Sequence, residues 1–138
     1  LAADTAAYVF DSCAVVALLY REPGAERAAS LLESKSRCLI HAVNVCEVFY
    51  DGLRRGSTMT AEELETLLVQ AGLRIETAIP RALWQTAGQL KADIRRISLA
   101  DCFAAALALR EGADLVTTDH HEFDPVAESG LLPVLFIR

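Results

Sequence analysis

Short apolar runs that alternate with longer helical patterns constrain this chain more than any other feature. Runs over 8–11, 37–41, 73–77 and 114–118 read as strands, with a last one over 133–138. Helical patterns fill the intervals over 12–20, 24–35, 44–55, 61–71, 80–96 and 98–111, punctuated by Pro23-Gly24, Gly56-Ser57, Gly72, Pro80, Gly112 and Pro125. Strands separated by helices cannot be joined by tight turns, so they pair in parallel, and a parallel sheet needs helices on both faces. The expected fold class is therefore α/β, three layers around a mostly parallel central sheet. The polar stretch from Asp119 to Gly130 reads as a loop. The expected organisation is a loose leader over 1–7 and one domain over 8–138, long enough for a proper core.

Four acids stand where charge is expensive. Asp11 closes Tyr8-Val9-Phe10-Asp11, and Asp119 closes Leu115-Val116-Thr117-Thr118-Asp119. Each is a carboxylate at the end of a buried strand, the usual place for ligand chemistry in an open α/β sheet. Glu47 and Asp101 follow Asn44 and Ser98 by three residues, which places both in a helix's first turn as partners in a capping box. Thr60-Ala61-Glu62-Glu63 has the same pattern with no apolar run before it, and serves as an internal control. Asp101 differs from that control because Leu99 to Ala106 is apolar on nearly every face, so its carboxylate is expected to be at least partly buried. Glu47 sits similarly among Val45, Cys46, Val48 and Phe49. A buried acid has to be paired or metal-bound.

Gathering such acids costs about 4 kcal/mol per pair at roughly 4 Å and an effective dielectric of about 20. A divalent cation removes that cost. With oxygen ligands and no demand for His or Cys, the chemistry points to Mg²⁺ or Mn²⁺ rather than zinc. Such an ion would acidify a water and neutralise a leaving oxygen, with no side-chain nucleophile required. The hydroxyls of Thr117 and Thr118 stand beside Asp119, where they could orient a carboxylate or a metal-bound water, and Ser12 and Thr118 are the ones expected to orient the carboxylates.

Other features have ordinary explanations. Cys13, Cys38, Cys46 and Cys102 show no CxxC spacing and are expected as reduced, buried thiols rather than a soft metal site. His120 and His121 read as solvent-facing loop residues, and Asp124 before Pro125 as a turn feature. Trp84 and Leu90 read as core or dimer contacts. A net charge of −6 argues against binding long nucleic acid by charge alone, although Arg54-Arg55, Arg74, Arg81 and Arg95-Arg96 supply local cations. No apolar run approaches the roughly 18 residues of a membrane span and no secretory signal is evident, so a cytoplasmic location is expected.

Taken in order, Val9-Phe10-Asp11-Ser12, Asn44 to Val48, Ser98 to Ala106 and Val116 to Phe123 resemble the motifs of a PIN domain, and within that group the toxin of a VapBC-type toxin–antitoxin pair. The likeness spans essentially the whole chain. It implies a PIN-like fold and a Mg²⁺- or Mn²⁺-dependent ribonuclease whose acids correspond to Asp11, Glu47, Asp101 and Asp119. It also implies a homodimer and a VapB-like antitoxin that blocks the site. Cys13 and Cys102 stand where small or apolar residues are common in the family, and the two histidines inherit no role.

The alternatives differ in class. A receiver-like regulatory module would need adjacent acids after its first strand and a lysine after its last core strand, whereas the only lysines are Lys35 and Lys91, both in helical segments. A phosphatase of the Asp-x-Asp type fails at Ser12-Cys13. A Ser-His-Asp enzyme lacks a serine partner for His41 or for the histidine pair. A PIN-like nuclease outside a toxin system, or an interaction module that has lost catalysis, would share most of these features, though four intact acids count against the latter.

Overall fold

The structure, a computed structural model, describes residues 6–138. Its strands are β1 (Ala7–Phe10), β2 (Arg37–His41), β3 (Leu73–Glu76), β4 (Asp114–Thr117) and β5 (Val134–Phe136). Its helices are α1 (Ser12–Leu19), α2 (Ala25–Glu33), α3 (Ala42–Arg54), α4 (Ala61–Ala71), α5 (Arg81–Asp93), α6 (Leu99–Glu111) and α7 (His120–Ser129). The five strands pair in the order β3-β2-β1-β4-β5, every pair parallel. Residues 1–5 of the expected leader lie outside the described residues. Its end takes part in the fold, since Ala7 opens β1 and the Ala6 carbonyl accepts a hydrogen bond from Arg37 N at 3.0 Å.

The strands are apolar throughout because both faces are covered. Val9, Leu39 and Leu115 are in register and point into a core shared with α5, α6 and α7. Phe10, Ile40 and Val116 point the other way, into a core built with α1, α2, α3 and α4. The period of two along each strand thus divides one sheet between two helical layers. No helix among the described residues is long and apolar enough to cross a membrane.

Strand order decides where a ligand can sit. From β1 the chain moves outward to β2 and β3, then α5 and α6 carry it back across the sheet to β4 on the other side of β1. The connections leaving β1 and β4 diverge at this switch point, opening a crevice at the strands' C-terminal ends. Asp11 leaves β1 and Asp119 follows β4 at that place.

Two expectations are corrected. The stretch from Asp119 to Gly130 is a helix, not a loop: Asp119 caps it by accepting from Glu122 N at 3.0 Å, and Phe123 and Val126 are buried. Pro125 has no N–H to offer the His121 carbonyl four residues back. Arg96 Nη2 donates to that carbonyl instead, at 2.8 Å, so the proline is tolerated inside the helix. The second correction concerns α3, which begins at Ala42 rather than Asn44. Its cap is the buried His41, whose Nδ1 accepts from Val43 N at 3.1 Å and whose Nε2–H donates to the Ala78 carbonyl at 3.0 Å. Asn44 is therefore inside the helix, and Glu47 lies in its second turn.

Candidate active site

A cleft of about 840 Å³ opens at the switch point, lined by Ser12, Cys13, Glu47, Tyr50, Ser98, Asp101, Thr118, Asp119, His120, His121, Glu122 and others. Asp11 lies beneath it, fully buried. Its Oδ1 accepts from Ala14 N at 2.8 Å, so it caps α1, and its Oδ2 accepts from the Thr117 hydroxyl. Capping α1 thus occupies one oxygen of Asp11, and Thr117 the other. Burial pushes the Asp11 carboxyl up to about 7 against the pull of those two hydrogen bonds, with the charges of Asp119 and Glu47 adding to the rise.

Asp101 is 3% exposed on α6, as its apolar setting implied. Ser98 Oγ caps the helix by accepting from Asp101 N at 3.1 Å, but the reciprocal bond of a capping box is made by another element. Ser98 N donates to Glu122 Oε1 of α7 at 3.0 Å, which leaves the Asp101 carboxyl free to face the cleft. Burial raises this carboxyl to about 10, followed by its hydrogen bond with Glu122 and the charges of Asp11, Glu122 and Glu47. Glu47, half-buried on α3, is also raised by burial, although Ser12 Oγ donates to its Oε1 at 2.9 Å and Tyr50 lies at 3.4 Å from its Oε2.

Carboxylate oxygens of Asp101, Asp119 and Glu122 approach within 4.8 Å of one another, a spacing suited to one cation. Asp11 and Glu47 adjoin this trio closely enough to perturb it electrostatically. The four acids expected from sequence thus converge, and a fifth, Glu122, joins them. Its signal was present as Asp119-x-x-Glu122, an acid three residues after a capping side chain, hidden by reading the segment as a loop.

The hydroxyl assignments divide. Ser12 Oγ donates to Glu47 Oε1. The hydroxyl at the Asp11 carboxylate is that of Thr117 and not Thr118: Thr117 Oγ1 donates to Asp11 and accepts from the Asp119 backbone N–H at 2.9 Å, while the Asp119 carboxylate accepts from Glu122 N. Thr118 lines the cleft wall. Cys38 and Cys102 are buried, Cys46 is exposed, and Cys13 is partly buried in the cleft wall with its thiol pushed up by burial. No cysteine belongs to the acidic group among the described residues. Asp124 stays outside it too, paired with His120 at 2.9 Å. His121 is exposed, Leu90 is core, and Trp84 is 53% exposed.

The model of the PIN domain family matches residues 8–129. No curated protein matches the sequence. Among solved structures, a toxin–antitoxin complex from Klebsiella pneumoniae superposes with a TM-score of 0.70 at 17% identity, over 95% of this chain and 98% of that one. VapBC-1 from Haemophilus influenzae gives a TM-score of 0.69 at 20% identity, over 95% and 98%. VapC20 of Mycobacterium tuberculosis, a toxin that cleaves the sarcin–ricin loop, gives 0.69 at 18%, over 86% and 94%.

Proposed function

The chain belongs to the PIN domain family, and from that premise we propose that it is a divalent-metal-dependent endoribonuclease, the toxin of a type II toxin–antitoxin pair. The observation that carries this reading is a group of acids with no cationic partner. Among the described residues, none of Asp11, Glu47, Asp101, Asp119 or Glu122 takes part in an ion pair, although Asp11 and Asp101 are buried. Buried acids without a cationic partner fit a site built for a metal ion.

Asp101, Asp119 and Glu122 would hold Mg²⁺ or Mn²⁺, with Asp11 and Glu47 completing the set directly or through water. When bound, the ion supplies a Lewis acid for the phosphodiester and acidifies water. The chain supplies the positioning. Thr117 fixes Asp11 relative to Asp119, Ser12 holds Glu47, and Ser98 sets the first turn of α6 beneath Asp101. Neither Ser12 nor Cys13 is needed as a nucleophile: the hydroxyl is committed to Glu47, and the thiol is held protonated.

RNA as the substrate class is supported by the stated activity of VapC20, and an antitoxin partner by the VapBC complexes that share the fold. An apolar groove between α1, α3 and α4, with Tyr20, Leu53 and Met59 exposed, suits a VapB-like segment. A homodimer, one domain over 8–138 and a cytoplasmic location complete the reading. The test is cleavage of a structured RNA pool with Mg²⁺ or Mn²⁺, with EDTA, and with Asp101→Asn. Cuts that need metal and fall at least about 100-fold in the variant are expected. Protein that binds metal yet cuts no RNA would favour the interaction module.

A further inference from the structure

Glu47, Tyr50 and Arg54 follow one another at spacings of three and four along α3, so they share one face of that helix. Tyr50 is 41% exposed in the cleft wall, with its hydroxyl 3.4 Å from Glu47 Oε2. Core packing does not account for this ring, because the adjacent Phe49 is the aromatic that packs into the α1–α4 layer. The guanidinium carbon of Arg54 lies 4.8 Å from the Tyr50 ring centroid.

The two neighbouring arginines have different fates. Arg55 is held by Asp51 at 2.7 Å and Glu22 at 3.2 Å, and covers Tyr20. Arg54 is exposed and makes no ion pair among the described residues. A chain of net charge −6 with an acidic cleft repels a polyanion, so affinity for a strand has to come from contacts that net charge does not weaken. Stacking on an aromatic ring and one well-placed cation are such contacts, and stacking requires an unpaired base.

Resting on the ribonuclease reading, we infer that Tyr50 is the stacking platform for an unpaired nucleobase beside the cleaved phosphodiester, and that Arg54 contacts a phosphate of the same strand. Both residues position substrate and select for an unpaired cutting site. Neither touches the reacting atoms.

The test uses a labelled RNA hairpin that the native protein cuts in its loop. Affinity is read by fluorescence anisotropy with Mg²⁺ in an Asp101→Asn background, and KM and kcat in the native background. Tyr50→Leu should weaken binding about 5- to 100-fold and raise KM by a similar factor, with a smaller change in kcat. Tyr50→Phe should recover most of that loss, since the ring remains. Arg54→Gln should weaken binding about 3- to 10-fold and lower the slope of log affinity against log salt by about one.

The inference is overturned if Tyr50→Leu leaves affinity and KM within about twofold while the native protein still cuts. It is equally overturned if Tyr50→Phe loses as much as Tyr50→Leu, which would assign the hydroxyl to holding Glu47. Native protein that neither binds nor cuts any RNA would instead remove the ribonuclease reading beneath it.

Discussion

Two helices in this molecule begin with the same local signature and end in different chemistry. At α4, Thr60 Oγ1 accepts from Glu63 N at 3.1 Å and Glu63 Oε1 accepts from Thr60 N at 3.0 Å, so the box closes on itself at the surface. At α6, Ser98 makes the first of these bonds with Asp101, but the second is made by Glu122 from a different helix. Aspartate is one methylene shorter than the glutamate that a capping box prefers. The substitution by Glu122 relieves Asp101 of its local duty and leaves a buried carboxyl facing the cleft. At these two helices the capping pattern marks the start, and the tertiary partner decides whether the acid is spent on the cap or left facing the cleft.

The largest effect that separates the two boxes is on catalysis. Asp101→Asn should reduce RNA cleavage at least about 100-fold, while Glu63→Gln, which can still close its box, leaves the rate unchanged. In metal-free protein the same Asp101→Asn change should stabilise the fold by on the order of 2 kcal/mol, read by urea unfolding, because it removes a buried ionisable group. Loss of stability there would contradict the assignment.

Next in size is the response to pH. Asp101 and Asp11 are raised to about 10 and about 7, so the folded state holds protons that the unfolded chain releases near its ordinary carboxylate value. Their contribution is complete below roughly pH 4 and is lost as the pH rises through the folded values. Glu63 is lowered by its bonds to Thr60, and its contribution has the opposite sign, present above the ordinary glutamate value and lost in acid. Melting curves of metal-free protein should therefore fall from mildly acidic to alkaline pH, and saturating Mg²⁺ should flatten that fall. A melting temperature that climbs over this range without metal would sink the idea.

A finer separation comes from Glu122→Gln, which keeps an oxygen for Ser98 N while deleting a charge from the trio. Titration calorimetry with Mn²⁺ should register a 10- to 100-fold weaker affinity, roughly, with little change in folding stability. Finest of all is the pair of cap deletions. Thr60→Ala and Ser98→Ala should each cost about 0.5–2 kcal/mol in unfolding, yet only Ser98→Ala should also slow cleavage. Equal rates in the two variants would erase the distinction between the boxes.

Much of this was legible from the chain alone, for identifiable reasons. Strands buried on both faces leave continuous apolar runs, so β1 and β4 and the acids that follow them could be located directly. Asp101 could be ranked above Glu63 because its helix has no polar face to turn outward. What escaped depended on partners distant in sequence. Histidine is not a usual helix cap, and His41 serves as one because the Ala78 carbonyl fixes its tautomer, so Asn44 looked like the better start. The helix over 120–129 was obscured by Pro125, whose missing hydrogen bond is supplied by Arg96 from a different segment. Glu122 went unnoticed with it. The choice between Thr117 and Thr118 turned on which hydroxyl points inward, a matter of strand parity at the end of β4.

Thr117 also has a bearing on what sets the distance between two of the acids. Adjacent strands in a sheet are spaced by about 4.8 Å, a separation set by backbone hydrogen bonding and indifferent to side-chain identity. Asp11 N bonds the Val116 carbonyl at 3.1 Å, and the Thr117 hydroxyl donates to the Asp11 carboxylate across the same gap while accepting from the Asp119 backbone N–H on its own side. The spacing of those two acids is inherited from the sheet itself. Surface helices such as α2 and α4 lie outside that link, so the gauge between the two acids' backbones owes nothing to them.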